Sequence, residues 1–408
     1  MKAIQKQALQ EFYRWTMWNV LSKAFIRFWL KPKYNFFRSS GSEALPKPPF
    51  VIVSNHGTFF DPWIIGYFSR YPFAIMCNDD AFRGSPITRW YLNSIGAFPK
   101  KKGASDFKAM KKTMSSLAAG RPVCIFPEGQ TSWDGETQLL YKGIEKIIRH
   151  GRVPLVMVRM SGNFLTKPWW ADRIRKGRIE CLFKVLSPDH IQSISENDLF
   201  LTMKAFIAHN DIKSHAAAGV FFGKGNAEGL QRFVWICMNC ESEDTLVMKG
   251  DTVRCRSCSA SWSMNALCRL SPLKGGIRSF SDLHDWAQWH KIKVRSRIKA
   301  ASPLDVLATG SGIQMQSSIS GAPFTDQGHG ALILAKENLT FTTAKDRQCR
   351  VFSVAEIEDC VVQRADVFEI RHGPTYHRFV LRGHSPMKWL YYCRYLRGYN
   401  RYEKRGYL

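Results

Sequence analysis

Short apolar runs alternate with helical patterns between residues 50 and 200, and this alternation constrains the fold more than any other feature. The runs lie at residues 50–54, 73–77, 123–126, 153–160 and 179–185. Each has the length of a buried strand, and the stretches between them suit helices. We therefore predict an α/β domain, a mixed sheet flanked by helices, at residues 46–220.

Beyond residue 300 the periodicity changes to two, the period of a half-buried strand. Short alternating segments separated by turns lie at residues 312–317, 331–336, 339–343, 350–354, 360–364, 367–371 and 377–381. A helical pattern follows at about residues 385–397. Many short strands and one helix predict a β-barrel-like domain capped by a helix at residues 301–408. A helical linker with a serine cap is predicted before it, at residues 275–300.

The first 45 residues are rich in aromatic and basic side chains. At 100° per residue, one helical face carries Tyr13, Met17, Val20, Leu21, Ala24 and Phe28. The apolar stretch is far shorter than the roughly 20 residues that span a bilayer, and no apolar core of a signal peptide is present. We interpret the segment as an amphipathic helix on the cytoplasmic face of a membrane, bound peripherally. The alternative is a helix packed on its own domain.

The balance of charge indicates an anionic partner. Lys and Arg total 59 against 33 Asp and Glu, which gives a net charge of +26. Nucleic acid, an acidic protein or an anionic membrane surface would each suit this charge. No aromatic–basic RNA-binding motif is evident, so nucleic acid is the less favoured partner.

Four of the eleven cysteines form two close pairs. Cys237 and Cys240 are separated by two residues, and after fourteen more come Cys255 and Cys258 with the same spacing. Two such pairs bring four thiolates together, which is the arrangement of a structural Zn²⁺ site. We predict a zinc ribbon at residues 233–270. Iron in a rubredoxin-like site and free buried thiols are the alternatives.

A histidine and an aspartate follow the first predicted strand at a spacing of five, His56 and Asp61. With His56 on a loop and Asp61 in the first turn of a helix, the carboxylate can reach one imidazole nitrogen. The other nitrogen would then act as a base at neutral pH. The spacing alone is weak evidence, because a helix cap beside an unrelated histidine gives the same pattern.

Three further elements strengthen this interpretation. Residues 96–103 combine a glycine turn with three lysines, residues 123–129 form a strand that ends in an acid and a glycine, and residues 153–158 form a strand opened by proline. With the segment around His56, they resemble in order the four motif blocks of the glycerolipid acyltransferase family. The type member of that family makes phosphatidic acid from lysophosphatidic acid. The resemblance covers about residues 45–215.

The resemblance implies a role for each matching residue. His56 would remove the proton from a lipid hydroxyl and Asp61 would orient it, and the hydroxyl would attack the thioester of acyl-CoA or acyl carrier protein. The acceptor would be a lysophospholipid, 1-acylglycerol-3-phosphate first. Substrate-binding residues would be Lys102, Glu128, Gly129, Thr131 and Pro154.

The chain departs from the family pattern at three positions. Lys102 stands where the family usually has arginine, Thr131 stands where the third block has another arginine, and Thr58 replaces a serine. Lysine neutralises a phosphate but does not grip it bidentately. A non-phosphate lysolipid, another amphipathic alcohol, or a catalytically silent lipid-binding or tethering protein therefore stay as alternatives.

The last 130 residues resemble, more weakly, a GRAM or pleckstrin-homology-like domain. Such domains commonly bind lipid headgroups or proteins. The basic tail, with Arg401, Lys404 and Arg405, could touch anionic lipid, or it could be a solvated face.

Overall fold

The computed structural model describes residues 2–83, 85–100, 107–214, 221–274, 277–319 and 322–398. The predicted substrate-binding residue Lys102 and the tail beyond residue 398 lie outside these ranges. The chain forms two compact units. The first comprises Met1–Trp169 and Ile174–Phe222, and the second comprises Trp170–Arg173 and Gly223–Arg405.

The first unit is built on a seven-stranded sheet. Its strands are β1 (Phe36–Arg38), β2 (Val51–Ser54), β3 (Ala74–Asn78), β4 (Phe98–Lys100), β5 (Val123–Ile125), β6 (Leu155–Ser161) and β7 (Ile179–Leu186). They lie in the order β1-β7-β6-β2-β5-β3-β4. The five strands from β6 to β4 are parallel, whereas β7 runs antiparallel to β6 and pairs in parallel with β1. The sheet is therefore mixed, as predicted.

Apolar side chains cover both faces of this sheet. Ile52 and Val156 belong to one buried cluster, and Val51, Val53 and Met157 belong to another. Because successive strand residues point to opposite faces, central strands between two layers read as continuous apolar runs. The flanking helices are α4 (Asp61–Tyr67), α5 (Pro86–Ser94), α6 (Phe107–Ala118), α7 (Ile144–Gly151), α8 (Asn163–Thr166), α9 (Pro188–Ser193) and α10 (Glu196–Ile207), with a 3₁₀ turn at Asp79–Arg83.

The N-terminal segment is helical from Lys2 to Tyr34, but its pitch changes along its length. It consists of α1 (Lys2–Thr16), a π-helical stretch at Met17–Ser22, α2 (Lys23–Phe25), a second π-helical stretch at Ile26–Leu30, and α3 (Lys31–Tyr34). The buried side chains recur every four residues at Trp18, Ser22, Ile26, Leu30 and Tyr34. The i→i+5 hydrogen bonds of π turns hold more residues per turn than the 3.6 of an α-helix, so about four residues complete an average turn here.

The apolar face predicted for this segment is largely exposed. Of its six residues only Met17 is buried, while Tyr13, Val20, Leu21 and Phe28 are exposed. The helix packs on its own unit through the other face, where Trp18 lies 4.9 Å from Phe73 between ring centroids. These four residues of the predicted face belong to a larger exposed apolar surface: Leu9, Phe12, Tyr13, Trp15, Val20, Leu21, Phe25, Phe28 and Trp29.

The predicted boundary at residue 45 does not separate two structural units. Strand β1 lies within the predicted membrane segment, yet it pairs with β7 at the edge of the sheet. The helical segment and the α/β domain are therefore parts of one compact unit. Within the described ranges, we find no helix whose length and apolarity would let it cross a bilayer.

The second unit begins with a small antiparallel sheet around the cysteines. Its strands are β8 (Leu246–Lys249), β9 (Thr252–Cys255), β10 (Ser261–Met264) and β11 (Leu270–Pro272), in the order β11-β10-β9-β8. Helix α11 (Leu283–Ala300) follows. It is capped by Asp282, whose side chain accepts a hydrogen bond from the Asp285 amide. The predicted serine cap is therefore wrong, because the carboxylate at the N-cap position meets this need.

An antiparallel half-barrel completes the second unit. Its strands are β12 (Ala308–Ile319), β13 (Thr325–Leu334), β14 (Asn338–Thr343), β15 (Cys349–Ser353), β16 (Ile357–Gln363), β17 (Val367–His372) and β18 (Thr375–Val380). They lie in the order β15-β14-β13-β12-β18-β17-β16. Helix α12 (Pro386–Leu396) packs on β16 and β17, and Trp389 and Tyr392 of this helix are fully buried. The predicted arrangement of short strands closed by one helix is confirmed.

Candidate active site

Polar residues follow the carboxyl ends of three neighbouring parallel strands of the first sheet. His56 follows β2, Glu128 follows β5, and Asn163 follows β6. Because β6, β2 and β5 are adjacent and parallel, their carboxyl ends meet at the same edge. Open α/β sheets place their functional sites at this edge.

His56 and Asp61 are in direct contact. The Nδ1 atom of His56 lies 2.8 Å from Oδ2 of Asp61, which opens helix α4 and is fully buried. A carboxylate only accepts hydrogen bonds, so Nδ1 carries the proton and donates it. Asp61 also accepts from the amides of Gly57 (2.7 Å) and Thr58 (2.9 Å) and from the Thr58 hydroxyl (2.8 Å). The turn predicted from the spacing of five therefore forms, and it holds a buried carboxylate against one imidazole nitrogen.

Asn163 supplies a further donor that sequence reasoning missed. Its Nδ2 atom lies 3.3 Å from Oδ2 of Asp61. The approach requires a glycine at position 57, since a Cβ there would lie 2.6 Å from Asn163 Nδ2. The available signal was a glycine and an asparagine directly after β6. It could be used only with the knowledge that β6 lies beside β2.

The second imidazole nitrogen faces outward. The His56 ring stacks on Phe126, with 4.2 Å between centroids and 27° between planes. Its side chain is 18% exposed, and Nε2 has no hydrogen-bond partner among the described residues. With the proton held on Nδ1, Nε2 presents its lone pair to an incoming group, which is the condition for a general base.

The loop that carries His56 is fixed to its neighbours on both sides. Asn55 is buried and exchanges two hydrogen bonds of 2.8 Å with the backbone of Met160 in β6. The carbonyl of His56 accepts from the Ser132 amide at 2.9 Å. These contacts hold the imidazole in place without touching it.

Glu128 supports the same loop. Its Oε1 accepts from the His56 amide and its Oε2 accepts from the Gln138 amide, each at 2.6 Å. Burial raises the pKa of Glu128 well above its usual range, although the two amide donors act in the opposite direction. Both oxygens are engaged within the protein, so this carboxyl group positions His56.

The other predicted substrate-binding residues lie partly at the carboxyl ends and partly at the amino ends of the parallel strands. Gly129 follows Glu128 with a φ of +64°, and a Cβ there would lie 2.5 Å from the Tyr141 ring. Thr131 is buried in the same loop. Pro154 lies at the far edge, because its carbonyl accepts from the Val51 amide at the amino end of β2. The structure therefore brings Glu128, Gly129 and Thr131 to the loops around His56, but not Pro154.

The four predicted zinc ligands also come together. Their sulfur atoms all lie within 4.8 Å of one another, with 3.8 Å between Cys237 and Cys258 and 3.8 Å between Cys240 and Cys255. Four sulfurs at 2.3 Å from a tetrahedral Zn²⁺ are about 3.8 Å apart, so the donor set fits this ion. Trp235 and Trp262, which lie near these cysteines in the sequence, are buried.

Part of the first unit is similar to a known protein family. Residues 36–161 match the acyltransferase family. The matched stretch runs from β1 to β6 and contains His56, Asp61 and Glu128. The predicted resemblance is confirmed for this part of the chain. It ends before the cysteine cluster and the half-barrel, so the zinc ribbon and the GRAM-like domain stay predictions.

Three curated relatives are each named 1-acyl-sn-glycerol-3-phosphate acyltransferase. The Chlamydomonas reinhardtii protein is 28% identical over 155 residues, which cover 36% of this chain and 46% of that protein. The Saccharomyces cerevisiae protein is 23% identical over 157 residues, 37% of this chain and 52% of that protein. The Borreliella burgdorferi protein is 29% identical over 133 residues, 31% of this chain and 53% of that protein. The chain thus spans about half the length of these relatives.

A solved structure is also similar. It is the 1-acyl-sn-glycerophosphate (LPA) acyltransferase PlsC of Thermotoga maritima, with a TM-score of 0.40 and 19% identity, covering 46% of this chain and 75% of that chain.

Proposed function

We propose that this protein is an O-acyltransferase. It transfers a fatty acyl group from acyl-CoA or acyl carrier protein to the hydroxyl of a lysophospholipid, with 1-acylglycerol-3-phosphate as the acceptor. The observation that carries the proposal is the outward-facing Nε2 of His56, whose other nitrogen is held by buried Asp61. The family match and the names of the relatives support the same reaction class.

The geometry allows a direct transfer without a covalent enzyme intermediate. Nε2 of His56 takes the proton of the acceptor hydroxyl as its oxygen attacks the thioester carbonyl. Asp61 holds the ring and stabilises the imidazolium, as the acid of a catalytic triad does for its histidine. The new C–O bond forms and the C–S bond breaks. The departing thiolate takes the proton back from His56, so the products are an ester and a free thiol.

The decisive experiment is turnover by the purified full-length protein. We expect phosphatidic acid from lysophosphatidic acid and oleoyl-CoA, detected by mass spectrometry. His56→Ala should abolish the product, and His150→Ala, at an exposed position on α7, should not. An equally active His56→Ala variant would disprove the proposal. Binding of lysolipid without turnover, across a panel of acceptors and both donors, would instead favour the catalytically silent lipid-binding protein.

The identity of the acceptor rests on different residues. Thr131 stands at the arginine position of the third block and is buried, so it offers no cation to a phosphate. A screen of lysophosphatidic acid against lysophosphatidylcholine and monoacylglycerol tests whether a terminal phosphate is required. A preference for monoacylglycerol would exclude the phosphate-bearing acceptor and leave the acyl-transfer chemistry in place.

We also propose that the protein associates peripherally with the cytoplasmic face of a membrane. The exposed aromatic and aliphatic side chains of the N-terminal helical segment support this, since such a surface beside basic residues suits a lipid interface. Phe28 is 76% exposed, and Lys33 lies 3.8 Å above the ring of the exposed Trp29. An anionic surface would also complement the net charge of +26.

In the second unit, Cys237, Cys240, Cys255 and Cys258 would hold Zn²⁺ as a structural ion. Four thiolates fill its coordination sphere, so the ion would stabilise the small sheet and offer no open position for catalysis. The half-barrel with α12 has the strands and the helix expected of a GRAM or pleckstrin-homology-like domain. Its binding of lipid headgroups or proteins stays a prediction.

A further inference from the structure

A cavity of about 380 Å³ lies in the first unit, away from His56. Its lining includes Pro72 and Ala74 at the start of β3, Gly96 and Phe98 at the start of β4, and Arg121 just before β5. These are the amino ends of parallel strands. The cavity therefore lies at the opposite edge of the sheet from His56, which follows the carboxyl end of β2.

Four cationic side chains line this cavity: Arg14 of α1, Lys108 and Lys112 of α6, and Arg121. None of the described lining residues is acidic. Glu11 forms ion pairs with both arginines, at 2.7 Å from Arg14 and in close contact with Arg121. Among the described residues, one carboxylate therefore stands against four cations, so this part of the lining is strongly positive.

The two arginines have unused hydrogen-bonding capacity. The Nε atoms of Arg14 and Arg121 are buried and have no hydrogen-bond partner among the described residues. Burial and the neighbouring Arg121 lower the pKa of Arg14, while Glu11 raises it. The chain also makes room for this guanidinium, because a Cβ at Gly96 would lie 2.8 Å from Arg14 Nε. Like charges held together with unsatisfied donors are stabilised by an anion.

The chemistry of the lining indicates a phosphate group. Guanidinium groups match phosphate oxygens with paired donors, lysines add point charges, and Asn93 and Ser116 in the lining add neutral donors. The volume is that of a small-ligand site. Arg14 also lies on α1 between Tyr13 and Trp15, two members of the exposed apolar surface.

We propose that this cavity is a second anion site that binds the phosphate monoester or diphosphate group of an anionic lipid headgroup or of a soluble phosphate compound. The site does not depend on acyl transfer, since it lies at the other edge of the sheet. It would give the N-terminal helical segment a headgroup contact beside its apolar surface. With a lipid headgroup as the ligand, the protein would distinguish membranes by their lipid composition, independently of the acceptor of the proposed acyl transfer.

The test is a calorimetric titration of the full-length protein with inorganic pyrophosphate at physiological salt. Lys108→Gln with Lys112→Gln removes two lining charges. Lys111→Gln with Lys146→Gln removes two charges from exposed positions outside the cavity. Charge-assisted hydrogen bonds are worth enough that we expect the lining pair to weaken binding about tenfold or more, and the control pair by less than about twofold. Equal effects of the two pairs, or no binding by the wild type, would overturn the proposal.

Vesicles distinguish the source of the phosphate. With a headgroup ligand, the lining pair lowers binding to phosphatidylcholine vesicles that contain phosphatidic acid, and pyrophosphate competes with that binding. With a soluble ligand, the lining pair weakens pyrophosphate binding alone. Both results support the site. Turnover of a detergent-dispersed acceptor should be unchanged in the lining pair, so the failure of this site and the failure of the acyltransferase proposal are separately visible.

Discussion

The polar cluster around Asp61 and the cysteine cluster around Cys237 are built in opposite ways. Around Asp61, donors from His56, Gly57, Thr58 and Asn163 converge on one buried carboxylate, and the imidazole that results keeps Nε2 outward. Around Cys237, the four sulfur atoms face one another within 4.8 Å. The first cluster leaves one nitrogen atom, Nε2 of His56, available to a substrate. In the second, the four sulfur atoms are directed toward one another.

The difference separates reactivity from support. An exposed nitrogen can take a proton from a substrate, whereas four cysteine sulfurs that face one another would, as thiolates, surround a metal ion and leave it no open position. Substitutions in the first cluster should therefore change activity at constant stability, and substitutions in the second should change stability and metal content.

The largest effect is expected at His56. His56→Ala should lower kcat/KM by about 1,000-fold or more, because general-base catalysis contributes on this scale. The unfolding temperature should change little, since the partly exposed ring is held by a single hydrogen bond. Paired turnover and calorimetric measurements check this. A large loss of stability would mean that the first cluster, too, is structural.

Substitutions in the cysteine cluster should change metal content and stability. We expect about one zinc ion per chain by elemental analysis, and its loss in the Cys237→Ser, Cys255→Ser double variant. Unfolding of the second unit should move to lower temperature. Cys349→Ser, at an exposed cysteine outside the cluster, is the control. Full retention of zinc in the double variant would remove these thiols as its ligands.

A smaller loss is expected at Asn163. Asn163→Ala deletes one donor to the Asp61 carboxylate, and hydrogen bonds to charged groups are worth enough for a fall in kcat of about tenfold. KM should stay nearly constant, because Asn163 acts through Asp61 on His56. Asn338→Ala, an exposed asparagine of the second unit, serves as the control. A change in KM alone would place Asn163 at the substrate instead.

Local contacts were predictable from the sequence, and contacts across strands were not. The reach of Asp61 back to His56 follows from a spacing of five, and the cysteine cluster follows from two short spacings. The contact of Asn163 with Asp61 and the hydrogen bond that Glu128 accepts from the His56 amide both require β6 and β5 to lie on either side of β2. No local sequence pattern encodes this order of strands. Pro154 belongs to a matching motif block, but it lies at the amino ends of the parallel strands, because it precedes β6 and bonds to Val51 at the amino end of β2. His56 follows the carboxyl end of β2.

The N-terminal helical segment allows a similar comparison, because one of its faces is exposed and the other is buried in the first unit. Phe12→Ala with Phe28→Ala alters the exposed surface and should weaken binding to anionic vesicles about tenfold without changing stability. Ile26→Ala alters the buried face and should cost roughly 3 kcal/mol of unfolding free energy. Vesicle flotation and chemical denaturation separate the two. Undiminished flotation of the double variant would contradict the membrane proposal.

The smallest effect concerns pH and the half-barrel. Burial, followed by the charges of His372 and Arg350, lowers the pKa of His377 to about 4. The folded state therefore keeps this ring neutral while the unfolded chain protonates it below its ordinary pKa of about 6.5. Stability of the second unit should fall as the pH drops from about 6.5 to about 4.

A matched pair of substitutions tests that assignment. His377→Gln should lessen the pH dependence of the unfolding free energy in this window, and the remainder should come from buried His290, whose pKa burial also lowers to about 4. His329→Gln, at an exposed position of the same half-barrel, should leave it as in the wild type. The assignment fails if the wild-type slope persists in the His377 variant.

The two wide π turns of the N-terminal helix have a consequence for how it could be altered. The pitch of these turns determines which residues of the helix face the first unit and which stay exposed. The division into a buried and an exposed face therefore depends on the pitch as well as on the residue types. If the six residues of Met17–Ser22 wound at α-helical pitch instead, each would turn the chain further than it does in a π turn, and everything beyond them would rotate about the helix axis. Phe28 and Trp29 would swing toward other neighbours although every aromatic ring is still present. The π turns therefore determine, together with the side chains, which residues of this helix are buried.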